Sequence, residues 1–342
     1  MRRLPVYFLV DVSDSMVGKP LESVQRGLQK ALSDLSSDPY ALETAFLNVI
    51  VFAGKVKKLI SMEEVYKCSL PNLEVGTGTC FGAALDFLMN DIDTNLRKTT
   101  VNRKGDWRPL VFIITDGAST DDASNSVQQW KSRFKGKLTT VVLALGESAD
   151  KNLLKELTDD VFTFSELDDS SFKKFFNWVS TSVQASSACI EKDESIRKQV
   201  IKAELLDRAG IEKVETQGKV NKPDEHYILL RARCQCKKED YLIKYKREDL
   251  HECYAVDGAY PINGSAYDEM SANNAEKIPV NVDLLQGVVS CPICENRIGW
   301  VSCGNCGKLF CASGEGICKC PWCGNASKLK LTSGFEINRS LG

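Results

Sequence analysis

Four short apolar runs punctuate the first half of the chain: residues 4–10 (Leu-Pro-Val-Tyr-Phe-Leu-Val), 45–53, 110–115 and 138–145. Each is unbroken and bounded by polar residues, the pattern of a strand covered on both faces in a parallel sheet. Between the runs, apolar residues recur at helical spacing. Leu21, Val24, Leu28, Ala31, Leu32 and Leu35 form one stripe, and Ala83, Ala84, Phe87 and Leu88 a second. Val127, Trp130 and Phe134 form a third, and Phe172, Phe175, Phe176 and Val179 the last. Alternation of strand and helix predicts an α/β domain with a doubly wound, mostly parallel sheet over residues 1–185.

The pattern then changes. Ser180–Ser187 is rich in small polar residues and reads as a linker, and Glu191–Arg208 is charged and helix-prone. Residues 186–225 are therefore expected to be a linker with a charged helix. Tyr227–Arg233 and Tyr241–Tyr245 read as two strands flanking Cys234-Gln235-Cys236. Residues 255–280, with Gly258, Pro261, Gly264 and Pro279, read as loop. Residues 226–342 are expected to form a small, β-rich, cysteine-rich domain.

Composition sharpens this division. The length of 342 residues suits two or three domains, and 43% hydrophobic residues suffice for a substantial core in the larger one. A net charge of −2 gives no global basic field for nucleic acid or anionic lipid. The apolar run Val6–Val10 is too short for a signal peptide, and no stretch reaches the roughly 18 apolar residues of a membrane span. A soluble, cytoplasmic chain is the expectation. Eight of the fourteen cysteines lie between Cys291 and Cys323, mostly as Cys-x-x-Cys pairs. Without an export signal, metal thiolates are favoured over disulfides.

Directly after the first predicted strand comes Asp11-Val12-Ser13-Asp14-Ser15. Gly76-Thr77-Gly78-Thr79 precedes a helix, and Asp116-Gly117 ends the run 110–115. Open α/β sheets place ligands outside the carboxyl ends of their strands. Alone, the Ser-Asp-Ser run reads equally well as a turn or a helix cap, and Asp-Gly after a strand is usually a turn. Together, Asp11, Ser13, Ser15, Thr79 and Asp116 supply two carboxylates and three hydroxyls at one sheet edge. Such hard oxygens suit Mg²⁺, Mn²⁺ or Ca²⁺ and do not hold zinc selectively. With few anionic ligands, the ion keeps excess positive charge and a replaceable water, which a carboxylate on a partner protein can displace.

The cysteine cluster comprises Cys291, Cys294, Cys303, Cys306, Cys311, Cys318, Cys320 and Cys323. Four thiolates close a tetrahedral structural zinc site, so eight predict two Zn²⁺. The interleaved pairing joins Cys291, Cys294, Cys311 and Cys318 on one ion, and Cys303, Cys306, Cys320 and Cys323 on the other. It is preferred to a sequential pairing because the second and fourth pairs resemble the knuckles of a zinc ribbon. Cys234, Cys236, His251 and Cys253 are candidates for a third zinc. Closed tetrads leave no place for substrate, so catalysis is not expected there. The module is not basic enough for nucleic acid. Residues 291–342 hold six Lys/Arg against three Asp/Glu, and eight thiolates with two Zn²⁺ bring the balance to about −1. The competing readings are a zinc-ribbon nucleic-acid binder, with Trp300, Phe310 and Trp322 as candidate contacts, and a metal-dependent hydrolase.

Asp-x-Ser-x-Ser after the first strand, Gly-Thr-Gly-Thr before a helix and Thr-Asp-Gly after a later strand resemble the von Willebrand factor A family. That resemblance maps its metal-ion-dependent adhesion site onto Asp11, Ser13, Ser15, Thr79 and Asp116. The opening residues 2–16 with the later cysteine cluster are similar to long-form TerY-like tellurite-resistance proteins, which carry a C-terminal metal-binding domain. What this resemblance implies is a non-enzymatic interaction scaffold in a tellurite-resistance or stress-response system. A serine/threonine kinase and a metal-dependent phosphatase are its implied partners. Asp14 departs from the family pattern, where glycine is common, and is expected to be a solvated surface carboxylate.

Overall fold

The computed structural model describes residues 2–117, 119–146, 149–164, 169–188, 211–214, 226–247, 253–273, 278–312, 316–328 and 334–339. The four apolar runs become β1 (Leu4–Asp11), β2 (Ala45–Phe52), β4 (Leu110–Thr115) and β5 (Thr139–Ala144), with β3 (Val56–Glu64) between the second and third. β1 pairs in parallel with both β2 and β4, and β4 with β5. β1 and β4 are buried at every position, as continuous runs require. Short β6 (Val161–Phe164) and β7 (Ile211–Lys213) complete a seven-stranded sheet of order β3-β2-β1-β4-β5-β6-β7. Only the edges, β3 on β2 and β7 on β6, are antiparallel.

Helices cover both faces. α1 (Lys19–Ser36), α2 (Pro39–Thr44) and α6 (Asp169–Ala188) share one apolar core with alternate strand residues such as Phe8, Val10 and Phe112. α3 (Phe81–Asn95), α4 (Ser124–Arg133, with Trp130 buried) and α5 (Lys151–Leu157) cover the opposite set of strand residues, including Leu9 and Ile113. Two expectations change here. Ser180–Ser187 is the last part of α6, with Ser180, Ser182, Ser186 and Ser187 buried. Small side chains there face the core, so their polarity is a packing property and not a linker signal. Of the segment 186–225, only residues 186–188 and 211–214 are described, the latter containing β7; Glu191–Arg208 lies outside the described residues.

The second sheet has the order β12-β10-β9-β8-β14-β13. β8 (Tyr227–Arg233) and β9 (Asp240–Arg247) form a hairpin with Arg233 opposite Asp240. Residues expected as loop form β10 (Tyr254–Ile262) and the helix α7 (Gly264–Met270), which Asn263 caps by accepting from the Ser265 and Ala266 N–H groups. β11 (Ile278–Asn281) pairs with the final strand β17 (Glu336–Arg339), and β12 (Leu285–Gln286) with β10. β13 (Trp300–Ser302) and β14 (Leu309–Cys311) form a hairpin, as do β15 (Ile317–Lys319) and β16 (Ala326–Lys328). β14 runs parallel to β8.

The two sheets meet in a shared apolar cluster. Val17 and Val75 from the first domain pack with Leu229, Leu242 and Tyr267 from the second. The backbone of residues 270–272 lies against Gly54 and Gly76, where an added Cβ would meet Ala272 N at 2.1 Å and Met270 Cβ at 2.6 Å. Only glycine admits so close an approach.

Candidate metal centres

The β1–β4 pairing brings the carboxyl ends of both strands side by side. Beyond Asp11 the chain turns through a single 3-10 turn at Asp14–Met16, which presents Ser13 and Ser15 to the same point. Asp11 Oδ1 accepts from the Ser13 N–H at 2.9 Å, and its Oδ2 accepts from Thr115 Oγ1 at 2.6 Å. Ser13 and Ser15 hydroxyls lie 2.9 Å apart. Ser15 donates to Asp116 Oδ1 at 3.0 Å, and Ser13 to the same oxygen at 3.4 Å. Thr79 sits at the neighbouring turn, held by its N–H on Thr120 Oγ1 and by its carbonyl accepting the Thr120 N–H. Its own hydroxyl is buried and has no hydrogen-bond partner among the described residues. A Cβ on Gly117 would stand 3.4 Å from that hydroxyl, so Thr79 faces the Asp116–Gly117 turn.

The structure thus draws Asp11, Ser13, Ser15, Thr79 and Asp116 together at one sheet edge. Asp11, Ser13, Ser15 and Thr79 are at most 1% exposed, while Asp116 is half-buried at the mouth. Burial pushes the Asp11 carboxyl up to about 6, against the lowering effect of its Thr115 and Ser13 hydrogen bonds. A buried carboxylate of this kind and an unpartnered hydroxyl beside it fit a hard cation.

Asp14 is not the solvated carboxylate expected from sequence. It is fully buried, and its Oδ2 accepts from Tyr267 Oη on α7 at 3.0 Å. In the alternation Asp11, Ser13, Ser15 the odd positions serve the metal point, leaving Asp14 directed at the second domain. From that domain, Lys244 of β9 is also buried and donates to the Ser15 carbonyl at 2.6 Å, lying 4.4 Å over the Tyr227 ring. Ser271 Oγ accepts from the Thr77 N–H at 3.0 Å, and the Ala272 N–H donates to the Thr77 carbonyl at 3.2 Å. The second domain therefore grips both loops of the oxygen site. Nothing in the local sequence announces this, because Lys244 and Tyr267 lie more than 200 residues away.

Among the described residues, sulfur ligands form two tetrads, in each of which all four atoms lie within 4.8 Å of one another. One is Cys303, Cys306, Cys320 and Cys323, as the interleaved pairing expects. The other is Cys234, Cys291, Cys294 and Cys311. Three sulfur pairs are 3.7–3.8 Å apart: Cys294–Cys311, Cys303–Cys323 and Cys306–Cys320. A tetrahedron with zinc–sulfur bonds of about 2.3 Å has edges of about 3.8 Å. The Cys323 thiol is pulled down to about 6, first by the Asn325 N–H and then by the Asn305 amide, which favours the thiolate a metal needs.

Cys318 is the correction. It lies in β15, buried against Cys303, Phe310 and Cys320, outside both tetrads. Cys234 takes its place because β8 runs parallel to β14 with Ala232 beside Leu309 and Arg233 beside Phe310. The next step of that register delivers Cys234 to Cys311. The candidate third site loses Cys234 to the first tetrad, and its His251 lies outside the described residues. Cys236 is exposed and Cys253 is half-buried.

One local structure recurs four times. Cys234, Cys291, Cys303 and Cys320 each accept at their carbonyl from the N–H four residues on, at 2.8–2.9 Å, and donate to the carbonyl five residues on, at 2.8–3.0 Å. The fourth residue is left-handed in every case: Lys238, Glu295, Gly307 and Gly324, with φ of 60–76°. Three of these knuckles carry their second cysteine three residues after the first. The Cys234 knuckle has Lys237 there, and Cys311 supplies the missing sulfur.

The aromatic residues considered for nucleic acid are engaged within the domain. Phe310 is buried, Trp300 Nε1 donates to Tyr245 Oη, and Trp322 donates to the Leu309 carbonyl beneath the Arg233 guanidinium. No helix among the described residues is long and apolar enough to cross a membrane.

Comparison with known proteins covers both halves. Residues 6–178 match the von Willebrand factor type A domain and residues 224–342 the TerY-C metal binding domain. The human inter-alpha-trypsin inhibitor heavy chain H6 is 24% identical over 159 residues, 45% of this chain and only 12% of that protein. Among solved structures, the ArnB paralog VWA2 from Sulfolobus acidocaldarius is 14% identical over 54% of this chain and 45% of its own, with a TM-score of 0.38. The pilus adhesin SpaC from Lactobacillus rhamnosus GG is 11% identical over 54% of this chain and 30% of its own, with a TM-score of 0.43. With a type A domain over half its length and the TerY-C metal-binding domain behind it, this chain belongs to the von Willebrand factor type A domain family, as a TerY-like member.

Proposed function

We propose that the protein is a metal-dependent interaction scaffold of the cytoplasm, without catalytic activity. Its oxygen site holds a Mg²⁺-type ion on Asp11, Ser13, Ser15, Thr79 and Asp116, and the ion captures a carboxylate of a partner protein. The observation that carries this reading is the buried, unpartnered Thr79 hydroxyl beside the converging Asp11, Ser13, Ser15 and Asp116 oxygens. Two Zn²⁺ on the sulfur tetrads hold the second domain folded, and that domain supports the adhesion loops from behind through Lys244 and Tyr267. Family membership favours a tellurite-resistance or stress-response setting, with a serine/threonine kinase and a metal-dependent phosphatase as partners.

The test is affinity capture from native cells in Mg²⁺ or in chelator. A partner retained in Mg²⁺ should be lost in chelator and lost with Asp11→Ala and Asp116→Ala, while circular dichroism and zinc content stay near wild type. Thr79→Ala should act in the same direction more weakly, since it removes a neutral ligand. Equal capture by Asp11→Ala, with and without chelator, would mean that the type A domain binds through another face.

A further inference from the structure

A groove of about 470 Å³ runs between the two domains and shares no residue with the oxygen site. Its walls are the start of α1, the segment 72–75 that leads into Gly76, and the end of β10. The floor is apolar: Val17 and Val75 are buried, with Leu21, Tyr260 and Ile262 packed against them. The walls are fixed to one another. Gln25 accepts from the Leu73 N–H at 2.7 Å and donates to the Pro71 carbonyl at 3.3 Å, and the Tyr260 ring lies across Gly18, where an added Cβ would meet Cε1 at 2.7 Å. Along β10, residues 260, 261 and 262 all line the space. Side chains of a strand alternate between faces, so three in a row border a space along the strand's edge. That edge is open: β12 pairs only with Tyr254 and Ala255, and residues 256–262 have no strand on that side among the described residues. Glu22 and Glu74 also line the groove, and neither side chain forms a hydrogen bond or an ion pair among the described residues. No Lys, Arg or His of the described residues lines it.

We propose that this groove is a docking site for an extended segment of a partner protein that carries a lysine or an arginine. An open strand edge is where an extended segment can lie. Pro261 has no N–H to donate, so recognition falls to side chains more than to ladder bonds. The aliphatic stem of a lysine or arginine suits the apolar floor, and its charged head suits the two carboxylates at the walls. Tyr260 adds an aromatic face of the kind that attracts cations. A neutral apolar segment would leave both carboxylates against apolar surface without a partner, and an acidic one would be repelled. Burial already pushes the Glu74 carboxyl up, and Lys57, which pulls it down, is itself held by Glu269 at 2.8 Å. A cation from outside supplies what the groove lacks. This is a second contact surface of the scaffold, and it stands without the cation-bridged reading of the oxygen site.

The test uses full-length, zinc-loaded protein and a dye-labelled, end-capped heptapeptide of alternating valine and lysine. A twin peptide carries norleucine in place of lysine. Fluorescence anisotropy is expected to show saturable binding of the lysine peptide, about tenfold tighter than that of the twin, the scale of one hydrogen-bonded charge contact. A double variant, Glu22→Gln with Glu74→Gln, keeps the shape of both side chains. It is expected to bind the lysine peptide about tenfold more weakly than wild type and the twin equally well, with circular dichroism and zinc content unchanged. Carbodiimide coupling of the lysine peptide to wild type, mapped by mass spectrometry, is expected to place the new amide on Glu22 or Glu74. Because the coupling uses wild type, it decides the matter even where the variant fails to fold. Absence of saturable binding, equal binding of the two peptides, an unchanged double variant, or amides only on other carboxylates overturns the proposal. So does spermine that binds as tightly as the peptide and displaces it, because the groove then serves a small polyamine.

Discussion

Asp11 carries the cost of the oxygen site. Burial holds its carboxyl up at about 6 in the absence of metal. For an acid raised above its unfolded value of about 3.8, the native state binds the proton more tightly than the unfolded state does. Its contribution is therefore favourable below about pH 4 and is lost as pH rises through about 6, so the ionised, metal-free site strains the fold at neutral pH. Asp11→Asn keeps the shape and removes the charge. It is expected to raise the thermal midpoint in chelator at pH 7 and to abolish any stabilisation by Mg²⁺, both read by calorimetry. A variant that is less stable than wild type in chelator, or still stabilised by Mg²⁺, contradicts this. Asp14 needs a different account from the one its sequence position invites. Tyr267→Phe withdraws a donor from its buried carboxylate, which typically costs about 1–3 kcal/mol, and denaturant unfolding should show a loss of that order. No change would mean that the contact contributes nothing.

At the scale of elements, the knuckles make a directional statement. Lys238 and Glu295 occupy left-handed positions that Gly307 and Gly324 occupy at no steric cost. Lys238→Gly and Glu295→Gly are expected to stabilise their turns by up to about 1 kcal/mol and to slow zinc release to a chelator. Gly307→Val and Gly324→Val should hasten it; the opposite ordering would show that the left-handed turn is not what holds the sulfurs. Much of this level was legible beforehand. The buried runs gave β1, β2, β4 and β5, and the helical stripes gave α1, α3, α4 and α6, because continuous and 3.6-fold patterns are local properties. The three Cys-x-x-Cys knuckles were equally plain. The Cys234 knuckle was not, since its second cysteine falls two residues on and its fourth ligand arrives through the β8–β14 register, a pairing about 77 residues long in sequence. β10 and α7 were hidden by glycines and prolines that mark turns more often than strands or helices, and the serines of α6 by a polarity that packing overrode.

Across the whole molecule, the domains are coupled: beside their own cores they share an apolar cluster. Val17 and Val75 pack with Leu229, Leu242 and Tyr267, and the adhesion loops hydrogen-bond to residues of the second domain. Cys234 directly follows β8, the strand that contributes Leu229 to the shared cluster, and Trp322 between Cys320 and Cys323 lies by Arg231 of the same strand. Cys234→Ser and Cys311→Ser are each expected to lose one zinc by elemental analysis, Cys303→Ser the other, and Cys318→Ser neither. Zinc loss with Cys318→Ser but not with Cys234→Ser would restore the pairing that local spacing suggests.

The claim on which the functional account turns is that the oxygen cluster is a distinct cation site built by both strand ends. Mn²⁺ can report it directly by paramagnetic resonance, because the sulfur tetrads are already filled in zinc-loaded protein. Titration of full-length protein should reveal one saturable Mn²⁺ site that Mg²⁺ displaces, absent in Asp11→Ala and Asp116→Ala, weakened in Thr79→Ala, and retained in Cys318→Ser, with zinc content unchanged throughout. Mn²⁺ binding by Asp11→Ala and Asp116→Ala with wild-type affinity would contradict it.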